Sequence, residues 1–487
     1  MMYQKNRMLL LIGLFATVFF GCAKKWDDHT QITDSNLTNN LAQAIKLNTS
    51  IGVFNNFLIR TGYDKIISSS KTYTVWAPTD QALLSISPAI VNDTAKLKLF
   101  VANHISNQAY LMGTTGDQRI KMLNGKYIII SGNKFDSANV VTGNLYATNG
   151  VYHVIDKFIP RYDNCWEFLN NTSLVPLMKT YLQSQNHNIF DPTIATQTGV
   201  SSSTGLPIYD TSSGMVQKNY FLDSVMNIND ETNQYTFVVL QDNSFTAELN
   251  KLTPWFKTST TDSTNNLSSM FLVRDLVFKG LYTPAQLPDT LVSQYGVKVP
   301  MTKANIVASY KTSNGIVYVM SQVNFTLAYK FPPIYIQGEY PTRFSIDRSS
   351  NTYYRVRNNP VTGLNFYDIL LTNYSVANYF IDYFVRNINS MHYNAYWVAV
   401  NDLQSTPLWS QQLIAGHTIS NTFYYNSTDA LTRITVNYLN YAEVPLGQFN
   451  FTTFGNRDFC VFGPTTASST GNVDAIVLDY IKLVPAF

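Results

Sequence analysis

Residues 73–83 read "YTVWAPTDQAL". Side chains alternate along a strand, so Tyr73, Val75 and Ala77 share one face, and Thr74 and Trp76 share the other. Pro78 has no N–H to give to a ladder, and pairing is expected to stop there. Thr79 or Asp80 can accept from the free N–H groups of the following turn, so either is an N-cap for a helix opening at "QALLS". An acid beside a hydroxyl at a strand-to-helix turn is also where a catalytic group can sit. A general base needs a positioned partner, however, and no partner lies nearby in the sequence. Capping accounts for Asp80 without chemistry.

The stretch has an echo. Residues 235–245 read "YTFVVLQDNSF", repeating Tyr, Thr and Asp at Tyr235, Thr236 and Asp242 with apolar residues between them. A second pair follows, "NGVYHVID" at 149–156 and "NGIVYVMS" at 314–321. Asn149 lies 76 residues after Tyr73, and Asn314 lies 79 after Tyr235. Two motifs at nearly one separation, twice, mark a duplicated domain. Asn149-Gly150 and Asn314-Gly315 each make a hairpin turn from which a strand leaves. Before the strand of the first copy, Leu41, Ile45, Ile51, Phe54 and Leu58 fall at helical spacing.

These stretches resemble the two signatures of the fasciclin family. "LFVANHIS" at 99–106 stands where that family has a Tyr-His segment, with Asn103-His104 in its place. The resemblance covers the whole first copy, residues 38–160. The second copy, 161–336, is divergent: Val239-Leu240-Gln241 replaces Ala77-Pro78-Thr79, and no His matches His104 or His153. It also carries a Ser/Thr/Gly-rich insert, "ATQTGVSSSTG" at 195–205, which reads as a loop. The resemblance implies tandem compact α+β domains whose signature regions hold the core and are linked to adhesion. His104 and His153 read as hydrogen-bonded core histidines.

Beyond residue 337 helical periodicity fades. Runs at 393–400, 433–439, 458–463 and 474–485 are rich in β-formers and separated by Gly, Asn and Ser, the pattern of an all-β sandwich. The ending "DYIKLVP" at 479–485, with "HTISN" at 417–421, resembles jelly-roll, galactose-binding-like modules. A flat aromatic ring suits the apolar face of a sugar. Candidates for such stacking are Trp409, Trp397, Tyr424 and Tyr425, with Tyr393 and Tyr396. Trp397 lies inside a strand run and favours the core; Trp409, after "STPL", is the better surface candidate.

The 487-residue chain opens with Lys5 and Arg7, then a thirteen-residue apolar run, 8–20, and Gly21-Cys22. The run is too short to span a bilayer and suits a signal peptide, residues 1–21. A Cys in that position resembles a bacterial lipoprotein lipobox, which implies lipidation of Cys22, although Phe19 and Phe20 depart from the usual pattern. Residues 22–37 read as a tether. Asp27 and Asp28 resemble the export tag of surface lipoproteins in the phylum that uses SusC/SusD-type importers, which implies a lipid anchor in the outer membrane. A net charge of +3 with scattered Lys and Arg gives no footprint for nucleic acid. No nucleophile elbow, zinc spacing, phosphate loop or EF-hand occurs. The six His are dispersed, so no metal or other cofactor is expected. "NINDETN" at 227–233 reads as a solvated turn, and Cys165 and Cys460 as buried free thiols. The sequence thus points to a non-enzymatic surface lipoprotein for adhesion or for protein or glycan binding. The alternative is a glycan-capturing accessory of a SusC/SusD-type importer.

Overall fold

The computed structural model describes residues 38–468 and 470–487. The described residues form two compact units: 38–167 with 229–234 and 311–314, and 168–228, 235–310, 315–468 and 470–487.

In the first unit, helices Leu41–Leu47, Gly52–Thr61 and Thr94–Ala102 cover one face of a seven-stranded sheet. At the centre of the sheet, Tyr73–Pro78 runs parallel to Gly150–Ile155, with all six residues of each in register, and Ile105–Ser106 pairs on its far side. A second core forms on the other face, where Trp76 stacks on Phe135 with ring centroids 4.6 Å apart. All six residues of Tyr73–Pro78 are therefore buried, because both faces of this central strand are covered.

The second unit repeats the centrepiece. Tyr235–Leu240 runs parallel to Gly315–Met320, again six pairs, with Val277–Lys279 on the other side. The hydroxyl of Thr74 donates to the Gln108 carbonyl and accepts from the Tyr110 N–H; Thr236 makes the same two bonds with Gly280 and Tyr282. Where the first copy has His153, its Nε2 bonded to the Tyr110 carbonyl, the second has Tyr318, whose hydroxyl donates to the Tyr282 carbonyl. Two different donors thus reach the same backbone acceptor. The 195–205 insert is not simply a loop. Gln197–Val200 pairs with Pro207–Tyr209, above a ribbon of Asn186–Phe190 and Met215–Asn219.

The corner at residues 78–85 differs from its reading in the sequence. Ala82–Ser85 is a single 3₁₀ turn, capped by Thr79, whose hydroxyl accepts from the Ala82 N–H at 3.1 Å. Asp80 does not cap it. Its carboxylate reaches across to accept from the Val53 N–H, at 2.8 Å, in the first turn of helix Gly52–Thr61. Asp242 does the same for helix Pro176–Ser184, accepting from the Leu177 N–H at 3.0 Å. Each acid satisfies an orphan donor and meets the positive end of a helix, which in the first copy lies 27 residues upstream. Local spacing pointed to the next helix; the fold supplies another one.

The remaining chain, from Ile334, is an all-β sandwich. One sheet orders Ile334–Gln337, Tyr480–Ala486, His392–Val398 and Val444–Asn450; the facing sheet is built on Phe380–Ile388, Gly455–Phe462 and Ser410–Ile419. The apolar run at 474–485 is two strands. Ile476–Leu478 pairs with Asn365–Leu371, then the chain turns at Asp479 and Tyr480–Ala486 enters a different sheet. Of the run at 433–439 only Ile434–Thr435 is strand.

Removing a helix cap costs ~1 kcal/mol, up to ~2. Asp80→Ala is accordingly expected to lower the unfolding free energy of the first copy by that amount, read as a lower urea midpoint at unchanged slope, and Thr79→Ala by less, since it caps one 3₁₀ turn. An Asp80→Ala midpoint equal to wild type would show that the Val53 bond contributes nothing.

Candidate functional site

The two signature regions of the first copy converge on its interior. Asn149 accepts from the Leu41 N–H at 2.8 Å, at the start of helix Leu41–Leu47, and donates to the carbonyls of Ile67 and Ser69. Asn314 accepts from the Cys165 N–H at 2.9 Å, at the start of helix Cys165–Asn171, and donates to the Asp230 carbonyl. Gly150 and Gly315 follow at φ 151° and 155°; a Cβ on either would stand about 2 Å from the carbonyl of Tyr73 or Tyr235. Only glycine permits that approach.

His104 and His153 are fully buried. The Nδ1 of His104 donates to the Phe100 carbonyl, while its Nε2 accepts from the Ile159 N–H at 3.1 Å. His153 donates from Nε2 to the Tyr110 carbonyl and accepts at Nδ1 from the Asn144 N–H. One donor and one acceptor per ring fixes the neutral tautomer. Burial drives both imidazoles down to about 4. Neither has a carboxylate to polarise it or a surface to face, so these residues are architecture.

Among the described residues no group of three or more His, Cys, Asp or Glu could hold a metal. Cys165 and Cys460 are free and buried, and burial pushes the Cys165 thiol up to about 12, which makes it unreactive. In "NINDETN" the Asp230 carboxylate accepts from Thr232 and Asn233 and Glu231 Oε1 pairs with Lys126, while Glu231 Oε2 is buried without a hydrogen-bond partner. Cys22 lies outside the described residues.

A cleft with binding chemistry opens in the sandwich. It holds about 620 Å³ and is bounded by His417, the hairpin residues Tyr424–Asn426, Asp429, the 450–453 segment and Arg457. Strands Ser410–Ile419 and Thr422–Tyr424 make the hairpin, joined by Ser420 and Asn421, both at positive φ as a two-residue turn requires. Tyr424 is 56% exposed and Tyr425 50%. Tyr425 stacks on Phe423, centroids 5.5 Å apart, which holds its ring in place. Arg457 lies over the Phe451 ring at 5.2 Å and donates to the Thr453 carbonyl at 2.9 Å. The Asp429 carboxylate accepts from Asn426 at 3.1 Å. Burial, then the Arg457 charge, lowers the pKa of His417, so it meets a ligand as a neutral imidazole. The cleft combines open ring faces with a guanidinium, a carboxylate and amides already fixed in place.

Two other aromatic candidates are corrected. Trp409, read as the better surface residue, is 3% exposed, its indole N–H turned to Gln411 Oε1. Trp397 is 1% exposed, on the inward face of His392–Val398. Both are buried in the core, so neither can stack on a sugar. Tyr393 is core as well. Arg457, Asp429 and Asn426 were not singled out in the sequence, where the only signal was a Ser-Asn turn followed by two tyrosines.

The family model for the Fasciclin domain matches residues 50–160. The first copy is a fasciclin domain. The match contains Asp80, His104, Asn149, Gly150 and His153. Among solved structures, a FAS1 domain pair from the insect cell adhesion molecule Fasciclin I is 13% identical, covering 58% of this chain and 99% of that one, at a TM-score of 0.23. The CBM36-1 domain of a multidomain xylanase from the hindgut metagenome of Trinervitermes trinervoides is 16% identical, covering 32% and 98%, at 0.21. A family 35 carbohydrate binding module from Clostridium thermocellum is 15% identical, covering 32% and 100%, also at 0.21. At scores of this size the architecture rests on the strand pairing described above. No curated protein matches the chain.

The unfolded chain takes up protons on both histidines near pH 6.5, and the folded fasciclin domain only near 4. Their stabilisation is full above pH 6.5 and drains away as pH falls toward 4, at up to ~2.7 kcal/mol per pH unit for the pair. His153→Tyr, which copies the Tyr318 donor, is expected to halve that slope in urea titrations. A wild-type slope near zero over this range would overturn the assignment of buried neutral rings.

Proposed function

We propose that the chain is a non-enzymatic cell-surface protein. Its fasciclin-like pair serves adhesion or protein contact, and its C-terminal sandwich captures glycans in the Tyr424–Tyr425 cleft. The observation that carries the glycan reading is two half-exposed tyrosines beside fixed polar groups in one cleft. Ring faces meet the apolar faces of sugars while Arg457, Asp429, Asn426 and Asn450 meet hydroxyls. The volume of about 620 Å³ lies within the ~300–1,000 Å³ of small-molecule sites. The xylanase and Clostridium modules are named for carbohydrate binding, which agrees in kind with this reading.

Lipidation at Cys22 and an outer-membrane position belong to the same proposal, supported by the apolar run that ends in Gly21-Cys22. A second reading makes the protein a glycan-capturing accessory of a SusC/SusD-type importer; it draws on the acidic residues after Cys22 and on the same cleft.

Titration calorimetry against a panel of neutral and acidic polysaccharides tests the cleft. Heat is expected with at least one glycan, and Tyr424→Ala with Tyr425→Ala should weaken binding at least tenfold while Trp409→Phe leaves it unchanged. No heat with any glycan would remove the reading. For the anchor, growth in labelled palmitate should tag the wild-type chain and leave Cys22→Ala unlabelled; an unlabelled wild type would refute lipidation.

A further inference from the structure

The most deeply buried ion pair among the described residues has no part in the cleft. Lys330 closes the short helix Leu327–Lys330, and Asp275 lies between helix Thr261–Val273 and strand Val277–Lys279. Their side chains are 1% and 0% exposed, and Nζ stands 2.5 Å from Oδ2. Nζ also donates to the Phe271 carbonyl and lies 4.6 Å from the Phe325 ring centroid. The other carboxylate oxygen, Oδ1, accepts from the Ser293 hydroxyl at 2.6 Å. Arg274 Nε is 3.9 Å from Oδ2. Two charges held this far from water carry a desolvation cost that their attraction repays only in part. Burial also pushes the Lys330 ammonium down to about 8, toward the nucleophilic free amine.

We propose that Lys330 and Asp275 condense into an intramolecular amide bond. A proton passes from Nζ to Oδ2, and the freed lone pair attacks Cγ. Negative charge then grows on Oδ1, where the Ser293 hydroxyl already donates. The Nζ–Cγ bond forms and the Cγ–Oδ2 bond breaks, with Oδ2 leaving as water together with a second Nζ proton. Ammonium and carboxylate become amide and water with no other reagent. The third Nζ proton stays as the amide N–H and keeps the Phe271 carbonyl as its acceptor, while Oδ1 keeps Ser293. Both charges of the pair disappear, and the groups bonded to Nζ and Oδ1 keep their partners, while Arg274 Nε loses the carboxylate oxygen 3.9 Å away. The bond would tie together residues 55 apart in sequence and lock the segment before Ile334 to the core of the second copy.

The test is peptide mapping of the full chain, denatured and digested with trypsin. Cleavage after Arg274 releases residues 275–279. With the bond in place, this peptide is joined to the one containing Lys330, trypsin does not cut after Lys330, and the joined mass is one water below the sum. Lys330→Arg should abolish the linked species and Ser293→Ala should reduce its fraction. Full recovery of two unlinked peptides from the wild type would overturn the proposal, as would a linked species that survives Lys330→Arg. Neither result bears on glycan binding.

Discussion

Gly150 stands against the carbonyl of Tyr73 with no room for a Cβ, and Asn149 beside it holds the first turn of helix Leu41–Leu47. This contact joins the two central parallel strands, the helix layer and the loop at 67–69 at one point. Parallel strands close late, because their partners lie far apart in sequence. An asparagine that bonds three separated segments fixes the register of that closure. Gly315 and Asn314 supply the same contact in the second copy, which is why so divergent a repeat keeps this pair while losing Pro78, His104 and His153.

The duplication was legible because its constraints are local in type. A Gly that must approach a carbonyl and an Asn that must bond backbone cannot be exchanged for look-alikes. The partner of Asp80 was not legible. Capping chemistry names the donor class, an orphan N–H at a helix start, but does not say which helix, and the fold delivers the one at Gly52–Thr61. The exchange of His153 for Tyr318 was equally hidden, since two unlike side chains present one donor to one carbonyl.

In the sandwich, sequence reasoning found the strands at 393–400 and 458–463, took 433–439 for a strand where only Ile434–Thr435 pairs, and separated inside from outside poorly. Trp409 follows a loop-like stretch yet is core, because the segment begins a long strand in the sheet facing Trp397. The exposed tyrosines sit at the end of a short edge hairpin, Tyr424 closing its second strand and Tyr425 just beyond it, so each keeps about half its surface open. The polar half of the cleft comes from three further segments, and only the topology brings Asp429, Asn450 and Arg457 to that hairpin.

The turn at Asp479 has a further consequence. The last strand, Tyr480–Ala486, is not an edge; it lies between Ile334–Gln337 and His392–Val398 and pairs with both. His392–Val398 ladders directly with Val444–Asn450, but Ile334–Gln337 has no ladder to either, so Tyr480–Ala486 alone ties the opening strand of the sandwich to the rest of that sheet.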